Sequence, residues 1–217
     1  MRKMRIKYSR GINTVRRKQG GDGMTYFDEL QITIVATDDY IAKVFRMYFL
    51  GHGNVNIHRG IFEELTADCL VSPANSFGLM DGGMDAAITA YFGDQLQERV
   101  QQRIIDEYSG EQPVGTSFII ETNNESIPYL AHTPTMRVPA NINGTDNVYL
   151  ATKATLEEVK REGIKSLILP AFGAGAGQVN PQEVARQTAV ALNTVKNHAK
   201  EIDWEYALFR SRLIRGN

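Results

Sequence analysis

The sequence predicts an α/β domain in which helices cover both faces of a largely parallel sheet, and three observations carry that expectation. From Leu30 onward, short apolar and β-branched runs alternate with longer segments whose apolar residues recur at helical spacing. Several of the short runs are apolar throughout, as strands buried on both faces are. Two glycine-rich loops each follow an expected strand and precede an expected helix, which is the end of an α/β sheet where ligands bind. The chain of 217 residues, 42% hydrophobic and 23% charged, is long enough for one sizeable core and excludes a disordered or collagen-like build.

The elements follow in order. Leu30–Ala36 is an apolar strand, after which Asp38 or Asp39 caps a helix running through Phe49. Gly51–Gly53 turns the chain into a second strand around Val55–His58, and Asp68–Pro73 forms a third. Gly83–Tyr108 is helical with a break at Gly93-Asp94. Thr116–Glu121 and Pro128–Thr133 are strands, and Asp146–Glu162 is a helix that Gly163 ends. Ser166–Pro170 is the last strand and Gln182–Lys200 the helix that closes the core. The final segment, with Trp204, Tyr206 and Phe209, is expected to pack back on the sheet. There is no internal repeat.

A lone cysteine, Cys69, cannot form an intramolecular disulfide. The four scattered histidines show no CxxC, HExxH or other paired spacing, so no metal site is expected. No run approaches the roughly 18 uncharged apolar residues of a membrane span, and no apolar stretch follows the basic N-terminus, so the expected location is cytoplasmic, with no membrane partner. The net charge of −1 hides an asymmetry: residues 1–23 hold eight basic residues and no acid before Asp22. The other 16 basic residues face all 25 acids, which leaves the rest near −9. Residues 1–23 read as a solvated, disordered arm able to contact nucleic acid electrostatically. Residues 24–217 read as one domain, which Met24 could itself open.

The first loop runs from Ser72-Pro73-Ala74-Asn75 through Phe77 to Asp81-Gly82-Gly83-Met84-Asp85. Its paired glycines let a ligand approach the backbone, and the helix that follows offers unpaired N–H groups to an anion. The second, Pro170-Ala171-Phe172-Gly173-Ala174-Gly175-Ala176-Gly177-Gln178, places three glycines at alternate positions, suited to curling amides around the oxygens of a diphosphate. Neither loop has the GxGxxG or GK[ST] spacing, and there is no GxSxG elbow. A methyltransferase of Rossmann type, raised by ITIVATDDY, lacks the glycine turn that should precede the strand.

Together the strings DCLVSPANSFGLMDGGMDAAI and LILPAFGAGAGQVNP, about 80 residues apart, resemble the macrodomain family over residues 28–200. Val71, Ala74, Asn75, Gly82, Gly83 and Asp85 fall on its first loop without a gap, and Gly173, Gly175 and Pro181 suit its second. The loop SPANSFG is most similar to a bacterial and fungal branch, and AHTPTMRVP, with His132, is similar to the family's intervening core strand. The resemblance implies a three-layer α/β/α macrodomain-like sandwich with a mixed, largely parallel central sheet. It implies ADP-ribose or a derivative as ligand, free or carried by protein or nucleic acid, with no metal or cofactor. In hydrolytic members the residues matching Asn75 and Asp85 orient the distal ribose and activate water, so these two are the implied catalytic pair. Ala74, Phe77, Gly82, Gly83, Met84, Phe172, Gly173, Ala174, Gly175, Ala176 and Gly177 are the implied ligand contacts. The alternative within the same fold is a reader or sequestering module without catalysis, with nucleic-acid contacts through the basic arm.

Read as residues alone, Asp85 is equally a carboxylate favoured at a helix N-terminus and Asn75 an Asx-turn residue. Phe77 and Phe172 fit ribose or adenine stacking as well as a core plug. His132 is expected to be a buried, satisfied histidine, and Arg137 is a lesser candidate for a phosphate. Three departures from the family pattern stand out. Ile61 follows Gly60 where the family has an adenine-binding Asp, with Phe62 beside it as a stacking substitute. Ser72 replaces the first Asn of the loop, and Gly177 stands where an aromatic packs on the distal ribose.

Overall fold

The computed structural model describes residues 25–216, so the basic arm lies outside the described residues. The strands are β1 (Gln31–Ala36), β2 (Val55–Arg59), β3 (Cys69–Asn75), β4 (Phe118–Glu121), β5 (Tyr129–Met136) and β6 (Ser166–Pro170). The helices are α1 (Tyr26–Glu29), α2 (Asp39–Tyr48), α3 (Gly83–Phe92), α4 (Gln95–Tyr108), α5 (Asn147–Arg161), α6 (Pro181–Lys196) and α7 (Trp204–Arg215), with a 3-10 turn at Phe62–Glu64. One six-stranded sheet runs in the order β2-β1-β6-β3-β5-β4, parallel throughout except for the antiparallel edge strand β4.

Alternation along the buried strands builds the two cores. Ile34, Cys69, Val71, Leu167 and Leu169 point to one face, where they pack with Phe27, Phe45, Leu156 and Leu192 of α1, α2, α5 and α6. Val35, Leu70, Leu130 and Ile168 point to the other, against Ile88 of α3 and Leu96, Val100 and Ile104 of α4. The result is a three-layer α/β/α sandwich with a mixed, largely parallel sheet. Local chemistry sets the joints. Asp38 caps α2 by accepting from the Ile41 amide at 2.9 Å, Gly163 ends α5 in the left-handed region at φ 70°, and Asp68 Oδ2 accepts from the amides of Lys165 and Ser166, tying the start of β3 to β6.

Three elements depart from the sequence reading. Strand β5 runs on to Met136, through Pro134, because β4 ends opposite His132 and no ladder partner on that side needs an N–H from the proline. Helix α6 stops at Lys196 rather than Lys200. The C-terminal segment forms α7 but packs against α6, not the sheet, and buries no residue. Both sheet faces are already covered by the other helices. Trp204 is 83% exposed and Phe209 58%.

Candidate functional site

A cleft of about 300 Å³ opens at the C-terminal ends of β3, β5 and β6, where the strand order reverses. Eleven of the thirteen residues expected to contact a ligand line it: Ala74, Asn75, Gly82, Gly83, Met84, Asp85, Phe172, Gly173, Gly175, Ala176 and Gly177. Pro73, Leu79, Asp81, Thr135, Met136, Pro139 and Ala171 complete the wall. Leu79 and Asp81 lie inside the first motif and were legible as loop positions; Thr135 and Met136 at the end of β5, and Pro139 just past it, fall in the stretch AHTPTMRVP, which was legible as a strand but not as cleft wall. A larger hollow of about 400 Å³, between α5, α6 and residues 198–206, has no lining residue that follows a strand.

The cleft wall is built of free amides. The carbonyls of Gly173, Gly175 and Gly177 accept from the amides of Val179, Gln178 and Ile142 at 2.9 Å each, which turns them into the protein. Among the described residues no acceptor takes the amides of Gly173 through Gly177, a run of donors suited to phosphate oxygens. Gly173 adopts φ 99°, and a Cβ there would come 2.7 Å from Val148 Cγ2, so only glycine suits the turn. Across the cleft, α3 begins after Gly82 without a side-chain cap, and the first amide taken up by the helix is that of Ala86. The amides of Gly83, Met84 and Asp85 are left at the positive end of the helix. Among the described residues, no lysine or arginine lines the cleft.

Asp85 sits in the first turn of α3, only 6% exposed, and its Oδ1 accepts from the Ser72 hydroxyl at 2.6 Å. Burial pushes its carboxyl up to about 6, the Ser72 hydrogen bond pulls against that shift, and the negative charge of Asp81 adds to it. Asn75 lines the cleft, but its side chain is committed to its own loop: Oδ1 accepts from the amides of Phe77 and Leu79 at 3.0 and 3.3 Å, and Nδ2 donates to the Leu79 carbonyl at 2.7 Å. The Asx-turn reading therefore describes its contacts, and it shapes the loop from which the cleft is made.

Several expectations need correction. Phe77 lies outside the cleft, beneath the Arg137 guanidinium at 5.9 Å, and Ala174 is not among the lining residues but packs against the core. Phe172 lines the cleft and is also buried in the core, so both readings of it meet in one residue. Arg137 is held by Glu111 through two hydrogen bonds of 2.6 and 2.8 Å and does not line the cleft. Phe62 is no stacking platform: it is 2% exposed and packs between Tyr91 and Phe92. His132 is buried and its Nδ1 donates to Gln112 Oε1 at 2.6 Å, but Nε2 has no partner among the described residues. Burial holds that imidazole neutral, with its pKa pushed down to about 3.

The sequence model of the Macro domain matches residues 71–188, from within β3 through the first half of α6, and takes in both cleft loops. An uncharacterized protein of Aquifex aeolicus is 33% identical over 138 residues, covering 63% of this chain and 79% of the relative. An O-acetyl-ADP-ribose deacetylase of Citrobacter koseri is 29% identical over 143 residues, 65% of this chain and 77% of its own. Among solved structures, an Oceanobacillus iheyensis macrodomain variant with ADPR superposes with a TM-score of 0.58 at 18% identity, over 86% of this chain and 94% of that one. The fold, the matched span and the relatives agree with the loops that line the cleft, and the chain belongs to the macrodomain family.

Proposed function

We propose that the cleft binds ADP-ribose or a derivative and hydrolyses a group from its distal ribose. The observation that carries the binding half is the pair of free-amide runs, Gly173–Gly177 and Gly83–Asp85, on opposite walls of one cleft that no cationic side chain lines among the described residues. A diphosphate is the anion that two such cradles hold without lysine or arginine. The named activity of the Citrobacter relative and the ADPR in the Oceanobacillus structure support the same ligand class.

In the hydrolytic step a water oxygen attacks the anomeric carbon of the distal ribose. The bond from that carbon to the leaving group breaks, and its electron pair stays with the leaving atom. The water proton passes to the Asp85 carboxylate, which at neutral pH is mostly ionised yet basic enough to take it. Titration of the chain with ADP-ribose, run beside AMP and NAD, should give saturable heat selective for ADP-ribose; silence at millimolar ligand overturns the binding. Asp85→Ala should abolish turnover of mono-ADP-ribosylated protein while the fold still melts cooperatively, and unchanged turnover removes Asp85 from the step.

One observation favours a second reading, a reader without catalysis: the Asn75 amide is already bonded within its loop. Under that reading ADP-ribose binds and no ADP-ribose linkage turns over. Contacts of the basic arm with nucleic acid belong to the same reading, and deletion of residues 1–23 should then weaken salt-dependent RNA binding without changing ADP-ribose affinity.

A further inference from the structure

Asp85 is the third residue of α3, the helix that opens after the exposed Asp81-Gly82 turn. Ser72 stands in β3, an interior strand paired on both sides, and is fully buried. Their 2.6 Å contact joins the first turn of α3 to the middle of the sheet. Asp85 Oδ2 accepts no hydrogen bond among the described residues, yet it is not a sealed, unsatisfied atom. Since Asp85 lines the cleft, Oδ2 is its open oxygen.

We propose that Ser72 is the positioning residue of this site: its hydroxyl pins Oδ1 of Asp85 to β3, so that Oδ2 is the oxygen presented to water and substrate. The proposal rests on the reading of Asp85 as the group that takes the water proton. Serine does this because its short hydroxymethyl reaches Oδ1 directly across the sheet-to-helix gap. The bond also opposes the effect of burial, since a donor stabilises the carboxylate over the acid. Few other titratable groups face the pair. Asp81 lies at the cleft mouth on the preceding loop, His132 is the register partner of Ser72 on β5 and is kept neutral by burial, and the loop from Ala171 to Gly177 contributes none.

The test is a carbon NMR titration of the Asp85 carboxyl in the full chain, in wild type, Ser72→Ala, Ser72→Cys and Ser72→Thr, each checked for cooperative melting. Wild type should titrate with a midpoint of about 6. Ser72→Ala should raise the midpoint by about one pH unit, and Ser72→Cys, which keeps the volume and weakens the donor, should move with it. Ser72→Thr should restore the wild-type midpoint. With a hydrolysed substrate, the acid limb of the pH profile should move in the same direction, and kcat at neutral pH should fall roughly tenfold while KM stays within about twofold. An Asp85 midpoint unchanged in a folded Ser72→Ala protein overturns the proposal. If ADP-ribose binds and nothing turns over, the hydrolytic reading fails by itself, and the titration of the ligand-free protein still decides for or against Ser72.

Discussion

Gly177 shows how one residue can both define a pocket and resist replacement. Its carbonyl holds the Ile142 amide, and a Cβ on it would come 2.6 Å from the Gly173 carbonyl oxygen and 2.9 Å from Ile142 Cγ1. The first of those is backbone and cannot swing aside. Gly177→Ala is therefore expected to destabilise the fold by about 1–3 kcal/mol in chemical denaturation and to weaken ADP-ribose binding by shifting the free-amide run; an alanine variant as stable as wild type would show that the loop yields without strain. The sequence displayed the missing aromatic at Gly177 but not its reason, because Gly173 and Ile142 meet it only in three dimensions. The same holds for Ser72. It was visible as a departure from the family pattern, but its contact with Asp85, 13 positions away, depends on how α3 crosses β3. Aromatic positions were least legible, since Phe62 and Phe77 are equally apolar as core, rim or platform and only packing separates them.

At the scale of elements, the readable features were those written in local chemistry. Gly93-Asp94 separates α3 from α4, Asp38 starts α2 and Gly163 ends α5, each through a cap or a backbone conformation that the residue type favours. What failed was packing choice. The apolar residues of α7 read as a face for the sheet, yet the sheet had no free face to offer. The helix is instead held by polar contacts made from both sides: Arg186 of α6 donates to the α7 carbonyls of Leu213 and Ile214 at 2.7 and 2.5 Å, and Arg210 of α7 reaches back to Tyr149 Oη at 3.1 Å and to the Thr194 hydroxyl. A helix that buries no residue and hangs on such contacts belongs to the least stable part of the molecule. Arg186→Ala should increase cleavage between residues 197 and 216 in limited proteolysis several-fold, while the main melting transition moves by no more than about 2–4 °C. Loss of the cooperative core transition in that variant would mean that α7 is integral to the sandwich.

At the scale of the whole molecule, two buried groups set opposing pH dependences. The Asp85 carboxyl is raised from 3.8 to about 6, so the native state holds that proton more tightly than the unfolded chain, and its contribution to stability falls as pH rises through that window. His132 is lowered from 6.5 to about 3, so the unfolded chain holds its proton more tightly, and its contribution falls as pH drops below 6.5. Between roughly pH 4 and 6 the two slopes run against each other, and each masks the other in wild type. Asp85→Asn removes one side of that balance. The variant should be more stable than wild type by up to about 3 kcal/mol at neutral pH, because a buried charge is replaced by a neutral amide of the same shape. The gain should vanish toward pH 4, where Asp85 is protonated anyway, and the variant should lose stability below pH 6.5 at about 1.4 kcal/mol per pH unit as His132 is unmasked. Urea denaturation of both proteins across this range checks the argument, and a stability difference independent of pH would refute it. Under the proposed hydrolysis, a carboxylate kept in the wall of the cleft at that expense in stability is what the site needs to take a proton near neutral pH.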